Sequence, residues 1–174
     1  MDPGPEETRR RYDQTVDLYE RRYSEIQRQK YPRLIDMLAL PEGSKILDWG
    51  CGTGLAFSTL EQCDHAYLGT DFSLPMLKKA RERSRAGLVL SDCRRLPFRP
   101  ESFDGILGAT VIQNIPSREA ALKELSRILK KGGRAVISYP KRTQITLPAS
   151  GENGLRILTS AGITEDYAVL LQRE

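Results

Sequence analysis

ILDWGCGTG, residues 46–54, joins an apolar run to an acid and then to glycines at alternate positions. Gly50 and Gly52 each remove a Cβ, so the chain can turn sharply there and bring its backbone against a ligand. Dinucleotides and other adenosine compounds both use such turns after a first strand. The dinucleotide pattern G-x-G-x-x-G/A, aligned on Gly50 and Gly52, asks for a small residue where this chain has Leu55, which would block close helix packing. Asp48 points the same way. A carboxylate directly before the loop is unfavourable beside a pyrophosphate and favourable beside an amino group.

Outward from this stretch, apolar runs at 45–49, 66–71, 87–92, 103–109 and 134–140 alternate with helical patterns at 55–62, 73–85 and 118–130. Strand and helix in alternation, with continuously apolar strands, predict an α/β fold: a doubly wound, mostly parallel sheet covered on both faces. Its ligand site is expected beyond the carboxyl ends of the strands. Three of those ends carry an acid, Asp48, Asp71 and Asp92. Each alone fits a cap or turn residue equally well. Converging on one crevice, they would repel unless a ligand supplied amines or hydroxyls.

Before the sheet, residues 5–39 read as one or two amphipathic helices. Tyr12, Val16, Tyr19 and Tyr23 fall on one face, and Pro32 is expected to restart the helix. Ser73 and Ser117 are candidate N-caps, and KKGG at 130–133 is a candidate helix stop. After Pro140 a polar loop leads to a predicted short helix at 155–161 and a final strand at 167–172. The whole chain reads as one domain, with helices in 1–40, the core in 45–140 and a C-terminal loop, helix and edge strand in 141–174.

With 174 residues, 39% hydrophobic and 29% charged, the composition fits a globular domain with no membrane span. The N-terminus lacks the apolar segment of a leader, and the expected location is cytoplasmic. Three cysteines without a C-x-x-C spacing indicate neither a disulfide framework nor a zinc site, and no metal is expected. Basic clusters accompany the net charge of +4. They could follow a phosphate backbone, but most sit on predicted helix faces interleaved with Glu and Asp, and a solvated helical surface accounts for them better.

Four segments, ILDWGCGTG (46–54), GTDFSLPMLKKAR (69–81), SDCRRLPFRPESFDGIL (91–107) and ALKELSRILKKGGRAVIS (121–138), resemble in order and spacing the class I S-adenosylmethionine-dependent methyltransferases. The likeness is to the group with quinone C-methyltransferases and wobble-uridine tRNA methyltransferases. It runs from about Tyr12 to about Tyr139 and implies a Rossmann-like fold with S-adenosylmethionine as cofactor. Position by position, it implies that Asp48, Gly50, Cys51 and Gly52 line the methionine part, Cys51 mainly through backbone. Asp71 would accept the ribose hydroxyls. Phe72, Met76, Asp92 and Cys93 would surround the adenine, and Ala109 with Thr110 would face the sulfonium. Tyr12 and Tyr19 either close a lid or only pack a helix face.

A charged sulfur already activates the methyl group, so in-line displacement needs alignment and exclusion of water more than an acid or base. The post-strand segment GATVIQNIPSRE lacks an NPPY or DPPY pattern. Gln113 and Asn114 either bind the acceptor or cap the loop, and Tyr139 is the remaining polar candidate beside an ordinary sheet-end reading. The acceptor is open: a small molecule, RNA or a protein. The C-terminus is expected to be shortened relative to the family, leaving a sheet edge for an activator subunit or a second copy. The alternatives are an RNA or translation-factor methyltransferase working with a small zinc-ribbon activator, and a non-catalytic S-adenosylmethionine-binding protein.

Overall fold

A computed structural model describes residues 5–145, 147 and 151–174. Two helices lead the chain, α1 (Pro5–Gln14) and α2 (Val16–Leu38). Pro32 lies inside α2 without breaking it. That corrects the expected restart. The buried stripe Tyr31, Leu34, Ile35 and Leu38 continues unbroken past the proline, so packing outweighs the single lost N–H.

Five parallel strands follow: β1 (Lys45–Trp49), β2 (Ala66–Asp71), β3 (Gly87–Leu90), β4 (Phe103–Ala109) and β5 (Leu129–Pro140). The intervening helices are α3 (Phe57–Leu60), α4 (Leu74–Arg83) and α5 (Arg118–Ile128). Two more strands, β6 (Leu155–Ile163) and β7 (Asp166–Arg173), close the chain. The sheet order is β3-β2-β1-β4-β5-β7-β6, with β7 antiparallel to both neighbours. The order reverses at β1, and the ILDWGCGTG turn sits at that reversal, where such sheets bind ligands.

Alternation along β1 divides the core between the two faces. Ile46 joins Leu34, Leu38, Phe57 and Leu60 beneath α2 and α3, whereas Leu47 and Trp49 join Leu122, Leu125 and Ile128 of α5. Ser73 caps α4 as expected, accepting from the Met76 N–H at 3.3 Å. Ser117 occupies the N-cap position of α5 without a side-chain bond.

Three local expectations are corrected. The 55–62 helix shrinks to the four residues of α3 among turns. KKGG is not the stop of α5, which ends at Ile128; residues 130–133 belong to β5, where the pairing with β4 shifts register between Phe103 and Gly105. Residues 155–161 form strand β6 rather than a helix. Pairing with β7 overrides a pattern that is helical only locally. Both C-terminal strands are therefore present, which corrects the expected shortening; among the described residues before them, a single turn lies at Glu152–Gly154. The reason for singling out the C-terminal edge disappears with that, since β3 and β6 are both open edges of the sheet. No helix of the described residues is long and apolar enough to cross a membrane.

Candidate active site

The site begins with backbone geometry. Gly50 and Gly52 have φ of +71° and +54°, a region that side chains with a Cβ enter only at a cost. A Cβ on Gly50 would stand 2.5 Å from Val111 Cγ2, so glycine is also required for the turn to lie against the chain after β4. At Gly52 a Cβ would meet nothing within 4 Å, and the backbone faces open space. The turn is anchored on its other side, where the Cys51 N–H donates to the Thr70 carbonyl at 2.8 Å and the Gly52 N–H to Asp71 Oδ2 at 2.9 Å.

Asp71 closes β2 and also accepts the Ser73 N–H at 2.9 Å through Oδ1. Burial pushes its carboxyl up to about 6 despite these bonds, with Asp13 adding to the rise. Asp48 is more extreme. It is 3% exposed, its Oδ2 has no hydrogen-bond partner, and burial followed by repulsion from Asp71 raises it to about 8. A buried carboxylate with an idle oxygen, next to a second one, is costly unless a cation or donor answers it. Asp92 behaves differently. It is solvent-exposed and pairs with Arg94 at 2.5 Å, which holds its carboxyl below the usual range.

A cavity of about 740 Å³, its open mouth included, lies over the turn. Its lining brings together Tyr12, Gly50, Gly52, Asp71, Phe72, Met76, Asp92, Cys93, Ala109, Thr110 and Asn114. Helix α1 crosses it: Asn114 Nδ2 donates to the Tyr12 hydroxyl at 2.9 Å, the Tyr12 ring meets Phe72 edge-on at 6.0 Å, and Ser73 Oγ donates to Asp13 at 2.5 Å.

Other expected positions fall outside the lining. Asp48 is buried and not part of it, and the Cys51 sulfur turns into the core, where it would stand 2.7 Å from a Cβ on Gly69. Gln113 donates to the Thr110 carbonyl at 2.6 Å and so braces the loop. Tyr139 packs on Tyr167 across the β5–β7 pair, ring centroids 6.2 Å apart, and this cross-strand contact takes it out of the cavity. The side chain of Tyr19 lies outside the described residues.

Thr8, Arg94, Val111, Ile115 and Pro116 also line the cavity and escaped the sequence reading. Thr8 had a usable signal, since it stands one helical turn before Tyr12. The others flank residues already singled out after β3 and β4. His65, the chain's only histidine, sits before β2 at the opposite end of the sheet, lining a separate open depression with Arg81 and Arg85.

The doubly wound sheet with a glycine turn at its reversal point is that of Rossmann-like proteins. Residues 47–137 match the family described as methyltransferase domain. The chain is 34% identical over 139 residues to the mouse 18S rRNA (guanine-N(7))-methyltransferase, covering 71% of this chain and 50% of that protein. It is 37% identical over 123 residues to the demethylmenaquinone methyltransferase of Staphylococcus carnosus, covering 67% and 50%. A chain of the complex between the Haloferax volcanii Trm112 methyltransferase activator and a methyltransferase superposes with a TM-score of 0.82 at 16% identity, over 93% of this chain and 97% of that one. The chain belongs to the methyltransferase-domain family, whose class uses S-adenosylmethionine. It spans about half the length of the two curated relatives.

Proposed function

We propose that the chain is a methyltransferase that transfers the methyl group of S-adenosylmethionine, held in the cavity, to an acceptor at its open side. The observation that carries this reading is the idle Oδ2 of Asp48, buried under the glycine turn beside Asp71. An α-ammonium group supplies the missing partner, and Asp71 keeps lone pairs free for a ribose diol. The residues present therefore fit the cofactor. Asp48, Gly50 and Gly52 would hold its amino-acid end, Phe72, Met76, Asp92 and Cys93 the adenine, and Ala109 with Thr110 the sulfonium side.

When bound, the cofactor supplies a methyl group already activated by positive sulfur. The chain's part is to align the acceptor and keep water out, which the Tyr12–Phe72 contact and the Tyr12–Asn114 bond do by seating α1 across the cavity. Alignment of this kind contributes several kcal/mol to ~10 kcal/mol without an acid or base. His65 is too remote to act as a base, lying at the other end of the sheet.

For the acceptor we propose RNA. The support is a basic rim at the cavity's end of the sheet, with Arg94 and Arg95 after β3, Arg118 at the start of α5, and Lys141 and Arg142 after β5, although the opposite end also carries arginines, Arg81, Arg83 and Arg85. Such a rim suits a phosphate backbone, and the mouse relative's name specifies an rRNA guanine. An activator subunit, as in the Haloferax complex, would pair with one of the two open edges, β3 or β6.

Isothermal calorimetry with S-adenosylmethionine, S-adenosylhomocysteine and NAD tests the cofactor, and NAD binding without response to the other two overturns the reading. Asp71→Ala should weaken S-adenosylmethionine by ~1.5–3 kcal/mol. Labelled methyl transfer to total RNA, protein and quinone pools, with mass mapping, tests the acceptor. Label in quinone or protein alone overturns RNA, and cofactor binding with no transfer to any pool identifies a non-catalytic binder.

A further inference from the structure

Next to the cavity lies an ion pair with no place in cofactor recognition. Lys30 of α2 and Asp166 at the start of β7 are 1% and 4% exposed and meet at 2.5 Å. Burial pulls the Lys30 ammonium down and Asp166 pulls it back up. A pair this deep is weak evidence for stability, since apolar residues of similar volume often do as well. Its contacts show what it holds instead. The Lys30 ammonium donates to Thr110 Oγ1, Thr110 Oγ1 donates to Asp166 Oδ2 at 3.1 Å, and Ser138 Oγ donates to the same oxygen at 2.9 Å. The Thr110 N–H is fixed as well, on the Ser138 carbonyl at 2.9 Å and its hydroxyl at 3.2 Å.

Thr110 is a β-branched residue at φ +60°, a conformation that persists only when its surroundings enforce it. The next residue, Val111, is the one against which Gly50 closes. The backbone angle at 110 thus sets the separation between the glycine turn and the loop after β4, the two walls of the cavity.

We propose that Lys30 and Asp166 are positioning residues: through Thr110 they lock the loop after β4 in its left-handed bend and so hold the far wall of the cavity against the glycine turn. This rests on the cavity being the cofactor site. It also explains why α2, β5 and β7, which lie away from the three acids, converge on one threonine.

Glycine separates this role from a merely structural one, because it adopts a positive φ without being held. In the double variant Lys30→Met/Asp166→Leu, affinity for S-adenosylhomocysteine, measured by calorimetry, should fall about tenfold while the thermal midpoint stays near that of the wild type. Adding Thr110→Gly should restore most of the affinity. A double variant that folds and binds like the wild type overturns the proposal, as does a loss that glycine fails to repair. If the double variant does not fold, Asp166→Asn with and without Thr110→Gly is read in the same way. Wild-type protein that does not bind S-adenosylhomocysteine sinks the cofactor-site reading instead, which keeps the two failures distinguishable.

Discussion

The two walls of the cavity bury charge in opposite ways. On the β1–β2 side, Asp71 lines the cavity and Asp48 is buried outside its lining with an oxygen idle, and the Asp48 and Asp71 carboxyls are driven upward, to about 8 and about 6. On the β4–β5–β7 side, Asp166 is buried as deeply, yet its Oδ2 takes donors from Lys30, Thr110 and Ser138. On the proposed reading a ligand answers the first arrangement, whereas the second is satisfied within the protein. The idle Asp48 oxygen is then where the cofactor's ammonium would bind, while the satisfied network would position the binding wall.

Breaking the complete side should cost most. Lys30→Met alone strands Asp166 in the interior and is expected to lower stability by ~3–5 kcal/mol in urea denaturation, whereas the double variant with Asp166→Leu recovers most of it. A single variant as stable as the wild type would remove the contrast between the walls.

The incomplete side should respond with the opposite sign. Asp48 has its pKa raised from 3.8 to about 8, so the folded state holds a proton that the unfolded chain has released between those values. Stability of the ligand-free protein therefore falls as pH rises through that window. Asp48→Asn should flatten the slope and stabilise the free protein by ~1–2 kcal/mol near pH 8, while weakening S-adenosylmethionine. Cofactor affinity of the wild type should climb toward pH 8 as Asp48 ionises. Proton release on binding follows below that pH, read by calorimetry in buffers of different ionisation enthalpy. Binding that is independent of pH would show that Asp48 does not meet the ammonium.

Smaller effects locate the boundary of the site. Tyr12→Phe loses the Asn114 bond and keeps the edge contact with Phe72, so cofactor affinity should drop by ~0.5–1.5 kcal/mol. Tyr139→Phe should change binding by less than ~0.5 kcal/mol, since that ring packs on Tyr167. A larger effect at Tyr139 than at Tyr12 would reverse their assignment.

Much of the architecture was legible because it is carried by local signals. Five apolar runs with helices between them match β1 to β5, and the glycine turn with its preceding acid is where ILDWGCGTG puts it. The sequence reading failed where pairing partners outweigh local pattern. Residues 155–161 look helical by spacing but become β6 because β7 lies beside them, and 130–133 look like a helix end but form an irregular stretch of β5 between Leu129 and Arg134, which pair with β4. For the site, most lining residues could be named from their place after a strand. Tyr139 also follows a strand and is nevertheless turned aside by its cross-strand neighbour.

Sequence alone determined the order of elements, the conformational freedom of Gly50 and Gly52 and the placing of acids at successive strand ends, because these depend on residues close in the chain. Tertiary structure alone decided that one aspartate keeps an idle oxygen while another finds three donors. Lys30 and Asp166 are 136 residues apart, and no periodicity reports such a meeting. It arises because α2 packs against the strands and β7 inserts between β5 and β6, which brings both charges to the one threonine that shapes the cavity wall.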